Sequence, residues 1–339
     1  MKIWKLQEPG LLATEERLEN IEQPDQAKVR ITNVLVSPTD LRVYNGDEPA
    51  NLPLSPCRFA VGIVSDKGKN CYSVEKNTRV YIADSIACGV CEACLEGKSG
   101  ACQDMQTAGT DREGYLREFV ITKEDNLAPL PPSVSDSDAL FTGMVSLCEA
   151  VISRLDADKG SHIAVFGANE IGNILCQLLI YHQIVPVLID VNQSLLALAR
   201  DCGIYYTVTA DENLARNLSE ITGGRMADAS VFMSFSSMAS DLPYETTAMG
   251  GTVIYAGFGF PAAQASLKAA QERRLTITTI TNDYSNRTAA INLLANKAVR
   301  TAPLKVPVFR ESDAEKVFAE RSAAMKNGEI VTSCILKLM

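Results

Sequence analysis

The sequence lacks the features that mark nucleic-acid-binding, membrane and secreted proteins. It contains no Lys- or Arg-rich run, and its formal net charge of -9 leaves no basic footprint for phosphate backbones or anionic lipids. No segment approaches the roughly 20 uninterrupted apolar residues of a membrane span. The start, MKIWKLQEPG, lacks the apolar stretch of a signal peptide. We therefore expect a soluble, cytoplasmic protein that binds neither nucleic acid nor membrane.

Internal repeats and low-complexity tracts are also missing, but two different patterns divide the 339 residues. Up to residue 143, short β-type runs such as KVRITNVLV and TRVYIAD are broken by Pro, Gly and Asn, which is typical of a β-rich domain. From residue 144 onward, apolar strands such as HIAVFG and VPVLID alternate with helical stretches, which predicts a doubly wound parallel sheet. The ending GEIVTSCILKL is again typical of a strand. We predict an α/β protein with one domain in residues 1–143 and 284–339 and a second in residues 144–283.

Four of the ten cysteines form one cluster. Cys88, Cys91, Cys94 and Cys102 follow the spacing C-x2-C-x2-C-x7-C, from which four thiolates can converge on a tetrahedral Zn²⁺ ion. Because four protein ligands leave no open coordination position, we expect one structural, catalytically inert zinc ion per chain. A disulfide pair and an iron–sulfur cluster are the alternatives. The other six cysteines are scattered, and most are predicted to be small core residues.

The first strand and turn of the second domain carry a nucleotide-binding pattern. VFGANEIG provides Gly167 for a tight turn and Gly172 for close helix–strand packing, with a helix N-terminus facing a pyrophosphate. Asn169 replaces the middle glycine and Glu170 adds a negative charge, so we expect weakened binding. Asp190 ends the next strand, where a carboxylate accepts hydrogen bonds from a ribose diol and repels a 2′-phosphate. NAD is therefore predicted over NADP, and a Rossmann-like domain that binds no dinucleotide is the alternative.

A β-rich first domain with a four-cysteine lobe, followed by this turn, resembles the medium-chain dehydrogenase/reductase family, the zinc alcohol dehydrogenases and their relatives. GYLREFV near residue 114 is similar to that family's Gly-aromatic-x-Glu-aromatic segment, and GGTVIYAGF to its later Rossmann strand. The resemblance covers nearly the whole chain. It implies a GroES-like catalytic domain to which the C-terminal tail returns, an active-site cleft between the domains, and a homodimer or homotetramer.

The resemblance also implies a catalytic zinc ion, but the matching positions hold no suitable ligand. The family's C-G-[ST]-D segment corresponds to SPTD, which puts Ser37 at the cysteine position. Its G-H-E-x-x-G segment corresponds to CRFAVG, which puts Arg58 at the histidine and Phe59 at the glutamate. The third ligand position falls on Thr142. The resemblance therefore implies a member of the family that lacks the catalytic-zinc ligands.

Other residues do not replace these ligands. The two histidines, His162 and His182, lie in the nucleotide-binding half at a strand start and a helix end, where structural roles are expected. Cys57 and Cys148 flank the lost positions but lack a third soft ligand.

Arg58 is the candidate replacement for the missing metal cation. Its guanidinium can bind a substrate carboxylate or phosphate or stabilise a developing oxyanion, and Asp40 can hold it in an ion pair. Thr39 matches the family's hydroxyl that passes the substrate proton outward, and Arg42 stands where some relatives carry a relay histidine. Ser146 matches a position beside the nicotinamide. The alternative is that Arg58 only fills the vacated position and pairs with Asp40 as an inert plug.

Three functions are compatible with these residues. The first is an NAD(H)-dependent oxidoreductase that acts without catalytic zinc on a small carbonyl, alcohol or activated alkene, with an anionic substrate as one option. The second is a nucleotide-binding sensor or interaction protein that has lost redox activity, and the third is a conventional zinc alcohol dehydrogenase. The predicted site residues are Thr39, Asp40 and Arg58 for catalysis and Gly167, Ala168, Asn169, Glu170, Ile171, Gly172, Asp190 and Ser146 for cofactor binding.

Overall fold

The structure is a computed structural model that describes residues 1–233, 238, 241–257, 267–280 and 286–338. Its strands are β1 (Lys2–Glu8), β2 (Leu11–Glu16), β3 (Gln26–Val36), β4 (Phe59–Lys67), β5 (Arg79–Ile82), β6 (Ser85–Ile86), β7 (Gln106–Thr107), β8 (Phe119–Lys123), β9 (Leu127–Pro129), β10 (His162–Phe166), β11 (Val185–Asp190), β12 (Tyr206–Thr209), β13 (Ala227–Met233), β14 (Thr247–Ala256), β15 (Thr276–Ile280), β16 (Val308–Arg310) and β17 (Cys334–Lys337).

The helices in the same described residues are α1 (Pro38–Asn45), α2 (Glu92–Leu95), α3 (Asp136–Ala139), α4 (Thr142–Leu155), α5 (Glu170–Tyr181), α6 (Gln193–Asp201), α7 (Leu214–Ile221), α8 (Leu242–Thr246), α9 (Leu267–Glu272), α10 (Arg287–Ala295) and α11 (Ala314–Lys326). Short 3-10 helices lie at Ser99–Ala101, Glu124–Asn126, Ala302–Leu304 and Glu311–Asp313. None of the described helices combines the length and the apolar character needed to span a lipid bilayer.

The chain clusters into two compact units. The first comprises Met1–Gly143, Tyr284–Ala295 and Val306–Met339, and the second comprises Met144–Asp283 and Asn296–Lys305. Residues 296–305 thus differ from the sequence prediction, which places them in the first domain. They belong to the second unit because the backbone of Arg300 bonds to the Gln177 side chain in α5. The Arg300 amide donates to Gln177 Oε1 at 2.7 Å, and its carbonyl accepts from Nε2 at 3.3 Å.

A mainly antiparallel, seven-stranded sheet forms the framework of the first unit. Six strands run in the order β16-β17-β3-β4-β5-β9, and β8 pairs with β3 outside that path. Along β3, buried and partly buried residues alternate at first, as expected for a strand with one face against a core. The last four residues of β3 are all buried, and β17 covers this end with Cys334 opposite Val36. On the other side of β3, β4 pairs with β5 so that Ala60 lies opposite Ile82.

A parallel six-stranded sheet forms the framework of the second unit. Its order is β12-β11-β10-β13-β14-β15, and every neighbouring pair is parallel. With β10 counted first, this is the 3-2-1-4-5-6 order of the doubly wound dinucleotide-binding fold. The order reverses beside β10, and sheets of this kind bind ligands at the carboxyl ends of the strands at that point. The predicted α/β class and parallel sheet are confirmed.

A partly buried charge cluster ties β1 to the loop before β8 in the first unit. The Lys5 ammonium lies 2.8 Å from the Glu113 carboxylate, and the Arg117 guanidinium lies 3.3 Å from it. The Ser55 amide donates to the same carboxylate at 2.7 Å. Burial raises the pKa of Glu113, but these donors and the two cations outweigh burial and hold the pKa below its ordinary value.

The substitution Glu113→Gln should make the free energy of unfolding depend less on pH in the acidic range. Because the folded pKa of Glu113 lies below the unfolded value, the carboxylate stabilises the fold above the ordinary glutamate range. That stabilisation is lost as the pH falls through the folded pKa. Urea unfolding at neutral and acidic pH measures this loss, which should be smaller in Glu113→Gln than in the wild type. Glu220→Gln, from an exposed pair with Arg216, is the control, and an equal response of both variants would contradict the prediction.

Candidate active site

The four clustered cysteines come together in the first unit. Cys91 is the N-cap of α2, and Cys94 lies within this short helix. The four Sγ atoms lie within 4.8 Å of one another, and the Cys88–Cys94 and Cys91–Cys102 distances are both 4.0 Å. Four sulfurs bound tetrahedrally at about 2.3 Å from a metal ion would lie about 3.8 Å apart. The donor set therefore fits one zinc ion.

In the four-cysteine lobe, residues 88–102, the sulfur–sulfur distances and the hydrogen bonds to sulfur support metal binding over a disulfide. The 4.0 Å sulfur separations are far longer than the roughly 2.05 Å of a disulfide bond, and all four thiols are free. The Cys88 amide donates to Cys102 Sγ at 3.2 Å, and the Cys91 amide donates to Cys88 Sγ at 3.4 Å. Hydrogen bonds from the backbone of Cys94 and Gln103 lower the pKa of the Cys91 thiol, whereas burial raises the pKa of the neighbouring Cys94 thiol, so Cys91 ionises first when no metal is bound.

A tight turn connects β10 to α5 at the carboxyl end of the parallel sheet. Gly167 has a φ of 111°, in the region that favours glycine. A Cβ atom on Gly172 would lie 1.9 Å from the Gly167 carbonyl oxygen, so α5 can approach the turn only because residue 172 is glycine. Because of these two glycines, the N-terminus of α5 can lie close to the turn at the carboxyl end of β10.

Asn169 caps α5 from within the turn. Its Oδ1 accepts a hydrogen bond from the Gly172 amide at 3.0 Å and satisfies one of the amides that a helix leaves free at its start. Glu170 is the first residue of α5 and is 8% exposed. Its negative charge interacts favourably with the positive end of the helix dipole. The chain therefore supplies part of the stabilisation that a bound phosphate would bring, which is a physical reason for weaker dinucleotide binding.

The Asp190 carboxylate lies beside this turn. Its Oδ2 accepts from the Ala168 amide at 2.7 Å, and its Oδ1 accepts from the Asn192 amide at 2.8 Å. Each oxygen retains a second lone pair, so both can also accept a hydrogen bond from a ribose hydroxyl. The Cys148 thiol donates to the Ile171 carbonyl at 3.5 Å, which packs this part of α4 against the start of α5. Ser146, in the same helix, is 1% exposed.

In the first unit, Asp40 organises the segment that precedes β4. Its Oδ2 accepts from the amide of Ser37 at 2.8 Å and from the hydroxyl of Ser37 at 2.6 Å, and Ser37 is the N-cap of α1. Its Oδ1 accepts from the Cys57 amide at 3.1 Å. Cys57 has a φ of 72°, so the chain turns sharply just before Arg58. Asp40 thereby joins α1 to the residue next to Arg58.

Arg58 is 5% exposed, and its charge acts on two buried carboxyl groups, those of Asp40 and Asp84. It directly precedes β4, while Asp84 follows β5, which pairs with β4 so that Ala60 lies opposite Ile82. Burial raises the pKa of both Asp40 and Asp84, and the Arg58 charge opposes the rise at each carboxyl. A buried guanidinium needs nearby negative charge to offset its lost hydration. The structure therefore brings Asp40 and Arg58 together and adds Asp84.

Three residues of this cluster, Asp84, Tyr81 and Tyr115, have no counterpart among the predicted site residues. Asp84 is fully buried, and the Tyr81 hydroxyl donates to its Oδ1 at 2.9 Å. The Tyr115 hydroxyl donates to the carbonyl of Ala83, next to Asp84. The sequence signal is an acidic residue that directly follows the apolar strand run RVYIA, where a charge is unexpected.

The side chains at the family's catalytic-metal positions do not fit a zinc ion. The Ser37 hydroxyl donates to Asp40, and the Thr142 hydroxyl donates to the Ala139 carbonyl at 2.7 Å. Arg58 is a cation, which repels a metal ion. Within the described residues, the four clustered cysteines are the one group of three or more Cys, His, Asp and Glu side chains that is close enough to hold a metal.

The remaining predicted residues take different places. Thr39 is partly exposed in the first turn of α1. Arg42, in the same helix, has its Nε 3.6 Å from the Glu48 carboxylate. In the second unit, His182 Nε2 lies 3.1 Å from the Glu149 carboxylate, and the His162 amide donates to Asp228 at 2.7 Å. These contacts are consistent with structural roles for both histidines.

Comparison with known proteins finds similarity along nearly the whole chain. Residues 23–132 match the model of the alcohol dehydrogenase GroES-like domain. A sorbitol dehydrogenase from Halalkalibacterium halodurans is 23% identical over 331 residues, which covers 95% of this chain and 94% of the relative. Sorbitol dehydrogenase 1 from Saccharomyces cerevisiae is 26% identical over 349 residues, which covers 97% and 96%. These matches support the resemblance to the medium-chain dehydrogenase/reductase family.

Solved structures show the same fold over the whole length of this chain. Alcohol dehydrogenase TADH from Thermus sp. ATN1 has a TM-score of 0.87 at 20% identity and is covered completely, as is this chain. An oxidoreductase of unknown specificity from Escherichia coli has a TM-score of 0.91 at 18% identity, with 100% of this chain and 99% of that chain covered. The predicted GroES-like and Rossmann folds are confirmed. The relatives include sorbitol and alcohol dehydrogenases, which supports an oxidoreductase of the zinc-type alcohol dehydrogenase-like kind.

The substitution Cys94→Ser should remove the zinc ion and destabilise the fold. Because the energy of a structural metal site is folding energy, the variant should unfold at a temperature lower by about 5 °C or more. Elemental analysis should find one zinc per chain in the wild type and none in the variant. Cys71→Ser is the matched control, since Cys71 lies outside the lobe and donates to the Gln26 carbonyl, as serine can. Iron in place of zinc, or a metal-free wild type, would contradict the assignment.

Proposed function

We propose that this protein is an NAD(H)-dependent oxidoreductase that works without catalytic zinc. The observation that carries the proposal is buried Arg58, which lies near the carboxylates of Asp40 and Asp84. The family resemblance assigns position 58 to a ligand of the catalytic metal. A guanidinium is a permanent cation, so it can stabilise the negative charge that develops on a substrate oxygen.

The substrate class is a small carbonyl compound, alcohol or activated alkene, and an anionic group on it would suit Arg58. Sorbitol, L-threonine and D-xylulose, from which three of the relatives take their names, are small hydroxylated molecules. We favour reduction, because the electrophilic carbon of a carbonyl or conjugated alkene accepts a hydride with less activation than an alcohol needs to lose one. The bound dinucleotide supplies the hydride. Thr39 would hydrogen-bond the substrate oxygen and help to orient it.

The preferred cofactor is NAD rather than NADP. The fold can bind either dinucleotide, since one structural neighbour is complexed with NADH and another is bound to NADP. In this chain the end of β11 carries Asp190, whose oxygens can accept from a ribose diol and whose charge repels a 2′-phosphate. The turn from Gly167 to Gly172 would hold the pyrophosphate, with Ser146 near the nicotinamide.

We further propose a homodimer or homotetramer in a reducing compartment, the cytoplasm. The ten free cysteines suit such a compartment, and oligomers of these sizes are what the family resemblance implies. Small molecules rather than nucleic acid or membrane are the expected partners.

A second candidate function is a nucleotide-binding sensor without redox chemistry. The observation that favours it is the start of α5, where Asn169 satisfies the Gly172 amide and Glu170 places a negative charge. A third candidate, a conventional zinc enzyme, requires two zinc ions per chain. Elemental analysis, fluorescence titration with NADH, and a screen of aldehydes, ketones and enones separate the three. One zinc with binding and turnover supports the oxidoreductase, whereas binding without turnover of any compound supports the sensor.

The substitution Arg58→Met should lower kcat/KM for the best substrate by about 100-fold, because it removes the fixed positive charge. Arg58→Lys keeps the charge and should recover part of the loss. The dissociation constant of NADH should be unchanged in both variants, and thermal unfolding identifies any loss of folded protein. Unchanged kinetics in Arg58→Met would show that the arginine is an inert plug.

The substitution Asn169→Gly should tighten NADH binding several-fold. It restores the glycine of the fingerprint and releases the Gly172 amide, while glycine at an N-cap costs only a few tenths of a kcal/mol relative to asparagine. Asn169→Ala is the control, because it also frees the amide but costs about 1 kcal/mol of capping energy and keeps a Cβ atom. Isothermal calorimetry measures both dissociation constants. Weaker binding in Asn169→Gly would show that the asparagine contributes to the nucleotide site.

A further inference from the structure

Asp84 is a fully buried carboxyl group without an assigned role. It follows β5, and its Oδ1 accepts a hydrogen bond from the Tyr81 hydroxyl at 2.9 Å. Its Oδ2 is also buried and has no hydrogen-bond partner in the part of the chain that the structure describes. An unpartnered buried carboxyl oxygen is costly, so Oδ2 is suited to a partner from outside the chain.

Asp40 and Asp84 both interact with Arg58 but differ in their hydrogen bonds. Asp40 accepts from the amides of Ser37 and Cys57 and from the Ser37 hydroxyl. Amides can only donate, so they favour the ionised form of Asp40. Asp84 has fewer donors, since the Tyr81 phenol bonds to Oδ1, its own backbone amide is a second donor, and Oδ2 accepts no hydrogen bond within the described residues. One buried cation balances one buried carboxylate, and Asp40 is therefore the better ionised partner of Arg58, which leaves Asp84 to hold a proton.

The charged and titratable groups around Asp84 support this division. They are Arg58 before β4, Tyr81 in β5, Arg287 in α10, and Tyr115, on whose hydroxyl the Asp84 charge acts. Burial is the largest influence on Asp84 and raises its pKa above the ordinary value. Arg58, Tyr81, the backbone amide of Asp84 and Arg287 lower the pKa by less than burial raises it.

We propose that Asp84 is neutral near neutral pH and that its Oδ2–H group donates the proton to the substrate oxygen during reduction. This inference rests on the proposed function, because it requires a carbonyl substrate beside Arg58. Tyr81 is a positioning residue, since its hydrogen bond to Oδ1 orients the carboxyl group and leaves Oδ2 to carry the proton.

The step balances without a metal ion. The carbonyl carbon accepts the hydride that NADH supplies, and the electron pair of the C=O π bond moves to the oxygen. The new O–H bond forms as the Oδ2–H bond of Asp84 breaks. The products are the alcohol, NAD⁺ and the Asp84 carboxylate, whose charge is stabilised by Arg58. A proton from water restores the acid after the product leaves.

The substitution Asp84→Asn tests the protonation state without any substrate. Asparagine has nearly the same shape but cannot ionise, so the infrared difference between wild type and variant near neutral pH should contain the C=O stretch of a protonated carboxylic acid. Asp66→Asn is the control, because Asp66 is exposed and lies 2.7 Å from the Lys76 ammonium. The infrared difference between the wild type and Asp66→Asn should contain only the bands of an ionised carboxylate. A carboxylate signal from Asp84 as well would overturn the proposal.

The pH dependence of unfolding is a second readout that needs no cofactor. A carboxyl group with a raised folded pKa destabilises the fold increasingly as the pH rises from the unfolded pKa through the folded one. Asp84→Asn should therefore gain stability relative to the wild type over that range. Asp66→Asn should show the opposite trend, because hydrogen bonds from Lys76 and Lys67 and the charge of Lys76 lower the pKa of Asp66. A difference that does not change with pH for Asp84→Asn would contradict the inference.

Kinetics with the carbonyl substrate found in the screen test the proton transfer itself. Asp84→Asn should lower kcat by about 100-fold or more and leave the dissociation constant of NADH unchanged. Tyr81→Phe keeps the acid but removes a hydrogen bond that lowers its pKa, so the alkaline limb of the kcat profile should move to higher pH. A normal kcat in Asp84→Asn would overturn the proposal. If the wild type converts only alcohols or alkenes, the proton-donor role fails and the proposed function stands. If it converts no compound at all, both fail, while the infrared result still decides the protonation of Asp84.

Discussion

The electrostatic balance around buried Arg58 is the constraint on which the rest of the candidate site depends. A guanidinium that has lost its water is tolerated only if negative charge lies close to it, and Asp40 and Asp84 provide that charge. Asp40 is in turn held by Ser37 and by the Cys57 amide, so the cation is connected to the capping of α1. The carboxyl groups that stabilise buried Arg58 therefore also hold its positive charge in one position.

The zinc ion that the four-cysteine lobe fits and the Arg58 guanidinium would have different roles in the first unit. In the cysteine lobe, four thiolates would complete the coordination of a zinc ion, so the ion can only hold the lobe together. The cation at position 58 belongs to the chain itself and carries no exchangeable ligand. It can attract and orient an anion or an oxygen, but it cannot activate a bound water or alcohol as zinc does. A neutral carboxylic acid beside it would supply the proton that a guanidinium cannot give up.

The second unit combines a standard turn with an unusual helix start. Gly167 and Gly172 satisfy the backbone demands of the turn, and Asp190 bonds to the Ala168 amide beside it. Asn169 gives α5 its own cap, so the helix needs no anionic ligand to satisfy that amide. A preformed turn reduces the ordering cost of binding a nucleotide, whereas a self-capped helix gains less from the phosphate. The balance of these two effects determines how tightly the turn binds a dinucleotide.

The sequence by itself determined the features that depend on local spacing. The cysteine spacing and the glycines of the turn act over a few residues, and strand–helix alternation was enough for the parallel sheet. Long-range contacts decided the rest. Arg300 joins the second unit through Gln177, which lies far away in sequence. The Arg58 charge acts on Asp84 because β4, which follows Arg58, pairs in one antiparallel register with β5, which precedes Asp84. Such a register is set by packing across the whole sheet, so no stretch of sequence around either residue contains it.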